Sequence, residues 1–251
     1  MRIQRALFFV AGMLAGLTGM GWGQGETHPM WTEKTVTEVK PERRQKFEAY
    51  LKELSAAYRR AGTAWFLVEE NLAGDTLEYT TIVPVLKFGD MDDPSALVRV
   101  LGKEKAEDLL QSLASCSTAQ TRQYETPQNP LEIDKKAVPE GVYWVETKTM
   151  VEPGRWGEYL TWLQHDYRPA LEKAGVAHFR VSQPIFGAAA GELIAARNLH
   201  SLAEIDAGAV LSKALTDDEI RALNAKSAVL VRSSYTRIVR VRGDLGYTAK
   251  R

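Results

Sequence analysis

The sequence Val-Lys-Pro-Glu-Arg at residues 39–43 returns as Val-Glu-Pro-Gly-Arg at residues 151–155, a shift of 112 positions (39 to 151). The first copy follows a stretch rich in threonine and valine, and both copies precede a helical pattern of apolar residues. Proline fits the first turn of a helix, so each copy indicates a strand that leads into a helix. The recurrence predicts an internal repeat, which would determine the fold of the whole chain.

The match extends well beyond the proline. At the same shift, residues 47–51 fall on residues 159–163. One residue is then inserted, and residues 64–66 (Ala-Trp-Phe) fall on residues 177–179 (Ala-His-Phe) at a shift of 113 (64 to 177). Single positions match weakly, but the order of the matches is kept along nearly the whole chain after the first 30 residues.

Both halves predict the same order of elements, βαββαβ. The first half is predicted to contain strand 32–40, helix 41–61, strands 63–70 and 77–86, helix 103–113 and strand 116–125. The second half is predicted to contain a helix that ends before Gly175, strands 176–183 and 192–199, helix 217–226 and strand 229–242. Four antiparallel strands with two helices on one face form the ferredoxin-like unit. The prediction is therefore an α+β fold of two tandem ferredoxin-like repeats.

Each ferredoxin-like sheet has one face covered by its own helices and one bare apolar face. We expect the two bare faces to pack sheet to sheet, as an α/β barrel formed within one chain. The predicted domains are residues 31–126 for the first repeat and residues 141–243 for the second. Residues 127–140, which contain three prolines, are predicted to be the linker.

The residues of the repeat resemble the dimeric α/β-barrel superfamily. The resemblance rests on the Val-x-Pro-x-Arg strand exits, on the aromatic first helix (Tyr-Leu-Thr-Trp-Leu at residues 159–163) and on the Ala-Gly pair that ends this helix. Within the superfamily, residues 143–241 are similar to NIPSNAP-like domains through a Gly-x-x-x-x-Tyr-Leu stretch at residues 154–160.

The resemblance implies a cleft between each sheet and its helices. Antibiotic-biosynthesis monooxygenases use this cleft for oxygenation without a cofactor, and the chlorite-dismutase and dye-peroxidase group uses it for heme. We therefore expect the second half to bind a small, partly apolar molecule there. The alternatives are a cofactor-free monooxygenase-like or heme-dependent oxidoreductase and a non-catalytic structural or assembly protein. Neither the residues nor the resemblance assigns a cofactor, a reaction or an oligomeric state.

Composition narrows the classes of partner. The chain of 251 residues is 45% hydrophobic and 25% charged, which is typical of a folded globular protein. The 32 Lys and Arg residues equal the 32 Asp and Glu residues, so no net charge attracts nucleic acid, and we expect no nucleic-acid partner. The single cysteine, Cys116, allows no internal disulfide, and we expect it to be structural at the start of a strand.

Residues 1–24 have the pattern of a cleaved secretory signal. Arg2 and Arg5 form a basic start, residues 6–17 are an unbroken apolar run, and Gly21 and Gly23 place small residues at alternating positions. The alternative is an uncleaved anchor helix, but the glycines weaken a helix and about 20 apolar residues are usually needed to cross a bilayer. We expect a mature periplasmic or secreted protein that starts near residue 24 or 25, without stable membrane insertion.

His178 is the clearest difference between the halves, because it stands where the first half has Trp65. Strict alternation places Arg180 and Ser182 on the same side of its strand. A histidine beside an arginine could bind an anion, polarise a carbonyl group or ligate a metal. The alternative is a half-exposed histidine whose neighbours satisfy it. No His-Glu-x-x-His, Cys-x-x-Cys or spaced acidic cluster is present, so no dedicated metal site is expected.

Three further residues complete the candidate ligand site. Arg237, the counterpart of Arg122 at a shift of 115 (122 to 237), alternates with Tyr235 on the core-facing side of the last strand, so it needs either an internal carboxylate or a bound anion. Trp162 lies off the main helical stripe and could line the cleft or a subunit contact. His165 is expected on a solvated helix face. The predicted ligand-binding set is His178, Arg180, Trp162, Arg237 and Tyr235.

Overall fold

A computed structural model of the protein describes residues 31–74, 77–135, 137–138 and 140–248. Its strands are β1 (Trp31–Val39), β2 (Leu67–Ala73), β3 (Glu78–Val85), β4 (Ser117–Pro127), β5 (Ile133–Asp134), β6 (Tyr143–Val151), β7 (His178–Phe186), β8 (Glu192–Leu199) and β9 (Val231–Val241). Its α-helices are α1 (Arg44–Arg60), α2 (Ala96–Leu101), α3 (Lys103–Ser115), α4 (Trp156–Trp162), α5 (Arg168–Lys173), α6 (Ala203–Asp206) and α7 (Asp217–Ala228). The predicted signal, residues 1–24, lies outside the described residues.

Eight strands close into an antiparallel barrel. They pair in the order β4-β1-β3-β2-β9-β6-β8-β7, and β7 pairs back with β4. The first half contributes β4-β1-β3-β2 and the second half β9-β6-β8-β7, so the two halves have the same internal strand order. They are joined by hydrogen bonds at both edges, β2 with β9 and β4 with β7. The predicted α/β barrel within one chain is confirmed, and closure leaves none of the eight strands as a free edge.

Helices cover the outer surface of the barrel in two separate hydrophobic cores. In the first half, Phe47 and Leu51 of α1 pack with Val68 of β2 and Tyr79 of β3. In the second half, Leu163 and Leu171 pack with Phe179 of β7 and Leu193 of β8. The spacing of apolar residues by three and four along the helices, and by two along the strands, builds both cores. No helix among the described residues is long and apolar enough to cross a membrane.

A π-helix, Leu163–Tyr167, interrupts the first helix of the second half between α4 and α5. The backbone N–H of Arg168 donates to the carbonyl of Leu163, five residues earlier. One turn of π-helix holds one residue more than a turn of α-helix. The sequence comparison places its one inserted residue in this same helix, so the π-helix accommodates the insertion. The first half keeps an uninterrupted α1.

The barrel interior is charged, so the expectation of two apolar faces packed together is wrong. Lys34 of β1 donates to Glu146 of β6 at 2.7 Å, although these strands are not neighbours in the sheet. Such a contact is possible only across the interior. A second set of ion pairs joins the halves inside the barrel. Arg237 of β9 binds both Glu146 at 3.0 Å and Glu78 of β3. Arg237 therefore has internal carboxylate partners, the first of the two alternatives for this residue.

Two interior carboxyl groups have pKa values that are shifted in opposite directions. Burial alone would raise the pKa of Glu146, but Lys34 and Arg237 lower it to about 2. Glu69 of β2 faces the same interior, and burial raises its pKa to about 7, against the opposing effect of Lys34. Oε2 of Glu69 is buried and accepts no hydrogen bond from the part of the chain that the structure describes. Glu69 is therefore the interior carboxyl group most ready to hold a proton.

Three local expectations differ from the structure. Cys116 is buried, but it caps the end of α3, and β4 begins one residue later. The predicted linker contains β5, which pairs with the beginning of β7 and is therefore part of the sheet. Helix α2, from Ala96 to Leu101, was not expected. It begins at a side-chain cap by Ser95 and ends at Gly102.

Replacing Arg237 with alanine should destabilise the protein by about 3–5 kcal/mol, because Glu78 and Glu146 would remain buried without their shared cation. Arg122 is the matched control, since its side chain is 57% exposed and pairs with Glu33 at the surface. Arg122→Ala should cost less than about 1 kcal/mol. Urea unfolding of both variants measures the difference. Equal losses would contradict the role given to Arg237.

Glu69→Gln should change how stability depends on pH. The pKa of Glu69 is about 7 in the folded protein, above its ordinary value of 4.5, so the folded state holds this proton more tightly than the unfolded state. The resulting stability is complete below pH 4.5 and is lost as the pH rises through 7. Between pH 5 and 8, the free energy of unfolding should fall by roughly 1–3 kcal/mol more in the natural protein than in Glu69→Gln.

Denaturant unfolding across this pH range tests the role of Glu69. Glu107→Gln is the control, because the side chain of Glu107 is 64% exposed. This variant should keep the slope of the natural protein. Parallel curves for the natural protein and Glu69→Gln would show that Glu69 is already ionised at pH 5.

Candidate functional site

The structure does not bring the five predicted ligand-binding residues together. Trp162 lies in the hydrophobic core between the helices and the sheet of the second half. Arg237 and Tyr235 belong to the opposite face of the sheet, inside the barrel, and Arg180 is on this inner side of β7. The five residues therefore do not surround one site in the sheet–helix cleft.

His178 is buried and holds the linker onto β7. Its ring is 4% exposed, so it is not the half-exposed histidine of the alternative interpretation. Nε2 donates to the carbonyl oxygen of Val138 at 2.7 Å, and Nδ1 lies 3.2 Å from Oδ1 of Asp134 on β5. Because both ring nitrogens face oxygen atoms of the protein, neither offers a free lone pair to a metal. The geometry favours a structural role for His178.

Arg180 and Tyr235 also have structural partners. The guanidinium group of Arg180 binds Glu140 at 2.5 Å and lies 4.6 Å from the ring centre of Trp144. Tyr235 is 41% exposed, and its hydroxyl group fills the space where a Cβ atom on Gly74 would lie. Glycine at residue 74 is therefore required by the close approach of Tyr235, as well as by its positive φ of 140°.

Trp162 is a core residue of the second half. It is 9% exposed, and its ring stacks between Tyr159 and Tyr167, with ring centres 5.5 and 5.1 Å away. Tyr167 continues the cluster by an edge contact to Phe179 of β7. The buried indole N–H of Trp162 donates to no group among the described residues. The aromatic cluster therefore forms the apolar floor of the second-half cleft.

A small cavity of about 70 Å³ lies at the end of this cleft. The segment that leads from α5 into β7 forms one wall, and the end of β8 with the residues after it forms the other. The lining residues are Ala174, Gly175, Val176, Ala177, His178, Arg197, Asn198, His200, Glu204, Val210 and Lys213. Polar and apolar groups both line the cavity, which suits a small molecule that carries a polar group.

Arg197 of β8 distinguishes this cavity from the ion-paired sites inside the barrel. No described residue forms a hydrogen bond or an ion pair with its guanidinium group. Burial lowers the pKa of Arg197 below its usual value, and Tyr167 and Glu204 oppose this shift. A partly buried cation without a counter-ion is costly unless a bound anion compensates for it.

The neighbours of Arg197 leave it available. Glu204 is committed to the backbone, because its Oε1 accepts the N–H groups of His200 at 2.7 Å and Ser201 at 3.3 Å. Tyr167 lies on the side of the aromatic cluster, and burial raises the pKa of its hydroxyl group. Lys213, also on the cavity wall, is exposed and forms no ion pair with the described residues. The cavity thus offers two cationic side chains.

A larger groove of about 940 Å³ lies in the first half, between α1, α3 and residues 243–246. Most of its charged lining residues are exposed, and they carry both signs. Examples are Lys52, Arg60, Lys105 and Asp108. None of the predicted site residues lines it. Because the cations that line the groove are exposed, whereas Arg197 is half-buried, the groove is the weaker candidate.

Sequence reasoning missed Arg197, although a signal was present. Residues 193, 195, 197 and 199 of β8 face the helices, and the other three are Leu, Ala and Leu. A single arginine on an otherwise apolar strand face is unusual. The sheet register strengthens the signal, because Arg197 and Val83 occupy equivalent positions in the two halves. Arg197 pairs with Val145 of β6, and Val83 pairs with Glu33 of β1. Val83 is a buried core residue.

No family model matches the chain, and no curated protein is similar enough in sequence to match it. Solved structures do match. A proposed monooxygenase from Lactobacillus acidophilus NCFM is 10% identical, with a TM-score of 0.59 over 88% of this chain and 97% of that protein. An anthrone oxidase-like protein is 16% identical, with a TM-score of 0.62 over 88% of this chain and 94% of that protein.

A mutant chlorite dismutase from Candidatus Nitrospira defluvii, in complex with cyanide, is a third structural neighbour. It is 10% identical, with a TM-score of 0.52 over 86% of this chain and 92% of that protein. These neighbours are dimeric α/β-barrel proteins, and the present chain shares their closed eight-strand barrel. At these identities the likeness establishes the fold alone.

His178→Ala should loosen the linker. The variant loses both ring contacts and leaves the carbonyl of Val138 without its donor, so we expect it to lose about 1–3 kcal/mol of stability. Hydrogen exchange should accelerate at the amides of Lys135 and Val138, which are hydrogen-bonded near this ring. His165→Ala, at an exposed residue of the π-helix, is the control and should change neither quantity. Unchanged exchange at both amides in His178→Ala would contradict the structural role.

Proposed function

We propose that the second half of this protein binds a small, partly apolar molecule in the cleft between its sheet and its helices. The observation that carries the proposal is the guanidinium group of Arg197, which faces a cavity in this cleft without a counter-ion from the described residues. Stable proteins rarely keep such a group partly buried for no purpose, because desolvation opposes its charge. A ligand would provide the missing partner.

The form of the cavity supports a ligand with two parts. Val176 and Val210 contribute apolar wall, and the aromatic cluster of Tyr159, Trp162 and Tyr167 continues the apolar surface into the core. Arg197 and Lys213 contribute the charged wall. A volume of about 70 Å³ admits only a few non-hydrogen atoms, so the rest of a larger ligand would extend toward solvent.

The cofactor-free oxygenase remains the second candidate. Its support is the barrel shared with the proposed monooxygenase and the anthrone oxidase-like protein, together with the aromatic cluster beside the cavity. In such a reaction, the chain's own residues would bind and orient the substrate and exclude water from it. We assign no catalytic residue to this reaction.

A heme does not fit this cleft as the structure has it. Ligand pockets for molecules of that size occupy roughly 300–1,000 Å³, and the cavity measures about 70 Å³. An axial histidine would need a free ring nitrogen, but both nitrogens of His178 have oxygen partners. His165 and His200 are exposed. We therefore derive no step through a heme.

Two proposals about origin and location accompany the function. The common strand order of the halves and the repeated Val-x-Pro-x-Arg exits support a duplication of a ferredoxin-like unit, with a NIPSNAP-like second copy. The pattern of residues 1–24 supports export to the periplasm or the exterior, after which the ligand would be met outside the cytoplasm. A cavity that binds no ligand would favour the third hypothesis, a non-catalytic structural or assembly protein.

NMR titration tests the binding proposal with propionate and propionamide, two small molecules that each join a polar group to an apolar chain. At least one of them should shift the amide signals of the cavity residues saturably. Ala177→Leu fills the cavity from its wall and should abolish the shifts. Ala64→Leu, at the matched and exposed position of the first half, should preserve them. Absence of a saturable shift with both probes up to about 100 mM would overturn the proposal.

A further inference from the structure

The second-half cleft differs from the first-half cleft at three places, and two of them line the cavity. A one-residue insertion makes the π-helix Leu163–Tyr167, His178 replaces Trp65, and Arg197 occupies the sheet position that Val83 has in the first half. In the first half, Val83 and Phe66 are both buried in a continuous apolar core. Two of the differences, His178 and Arg197, therefore place polar side chains on the cavity wall.

The polar groups in this cavity are mainly donors. Arg197 and Lys213 can only donate, and Arg197 presents a planar fork of parallel N–H groups. Asn198 is already bound to the backbone of Gly141 and Tyr143. Donors without acceptors select a ligand that is rich in acceptors.

Glu204 is the one carboxylate on the cavity wall, and its position shapes the charge of the site. Its Oε1 accepts two backbone N–H groups, and no ion pair joins it to Arg197. The wall therefore carries two cations and one anion, apart from the histidines. A second anion would make the cavity neutral, whereas a neutral ligand would leave Arg197 without compensation.

We propose that the cavity at Arg197 binds the carboxylate group of a small organic acid. The carboxylate accepts two parallel hydrogen bonds from the guanidinium group, and its apolar part lies against Val176 and Val210. The planar fork of arginine matches a carboxylate in a way that a lysine ammonium does not. This assignment rests on the function proposed above and specifies the chemical class of the ligand.

The position of Arg197 predicts a cost in stability when the cavity is empty. Its guanidinium group is half-buried and has no ion-pair partner among the described residues. An uncharged side chain of similar length should therefore be tolerated at least as well in the absence of ligand. A residue kept for structure would behave in the opposite way, because its removal would break contacts.

The test compares propionate with propionamide, which has nearly the same shape but no charge, by NMR titration at constant ionic strength. We expect propionate to bind at least tenfold more tightly, since hydrogen bonds between charged groups are about twice as strong as neutral ones. Arg197→Met should remove this preference, and Arg197→Lys should retain only part of it. Arg221→Met, an exposed arginine of α7, is the matched control and should preserve the preference.

Thermal unfolding of the same variants gives the second readout. Without ligand, the Tm of Arg197→Met should equal or exceed that of the natural protein, and propionate should raise the Tm of the natural protein and of Arg221→Met but not that of Arg197→Met. A clear fall in Tm for ligand-free Arg197→Met would overturn the proposal, because it would show that Arg197 has structural partners.

The outcomes separate this proposal from the one on which it rests. Equal affinities for both probes, unchanged in Arg197→Met, would overturn the carboxylate assignment and leave small-molecule binding in place. No binding of either probe would overturn small-molecule binding itself.

Discussion

The interior ion pairs of the barrel are the constraint on which the rest of the structure depends. Lys34 and Glu146 come from different halves, as do Arg237 and Glu78, and both pairs cross the interior of the barrel. Isolated buried charges would be prohibitively costly, so these residues are tolerated only when both halves are in place. The pairs therefore couple the halves in register, and edge pairing of β2 with β9 and of β4 with β7 completes the closure.

The barrel interior is charged, and we propose the ligand site for the layer between the sheet and the helices. The first half uses this layer as a close-packed core. In the second half, the π-helix, the linker strand β5 and Arg197 change the same layer. His178 contributes indirectly, since its contacts with Asp134 and Val138 hold the linker against β7 at the rim of the cavity. The asymmetry between the halves therefore concerns the layer under the helices, where the second half has the cavity lined by Arg197.

The charges of the two layers follow different rules. Inside the barrel, Lys34 and Arg237 have carboxylates within hydrogen-bonding distance. Burial in the same interior raises the pKa of Glu69 toward neutrality. In the cleft, Arg197 has no such partner among the described residues, and burial lowers its pKa. The first arrangement stabilises a closed barrel. We propose that the second arrangement favours a bound anion.

The sequence by itself determined the order of elements, the α/β barrel and the need of Arg237 for a partner, because local periodicity and a repeated strand exit are visible without coordinates. It also located the second half as the one that departs from the repeat, at His178 and at the inserted residue. Only the tertiary structure decided which side of the sheet each candidate faces. Strand alternation defines two faces but does not say which one meets the helices, so Trp162 and Arg237 could be grouped on sequence although they lie on opposite faces. Whether Arg237 or Arg197 lacks a counter-ion depends on strands that are distant in sequence, and barrel closure alone brings those strands together.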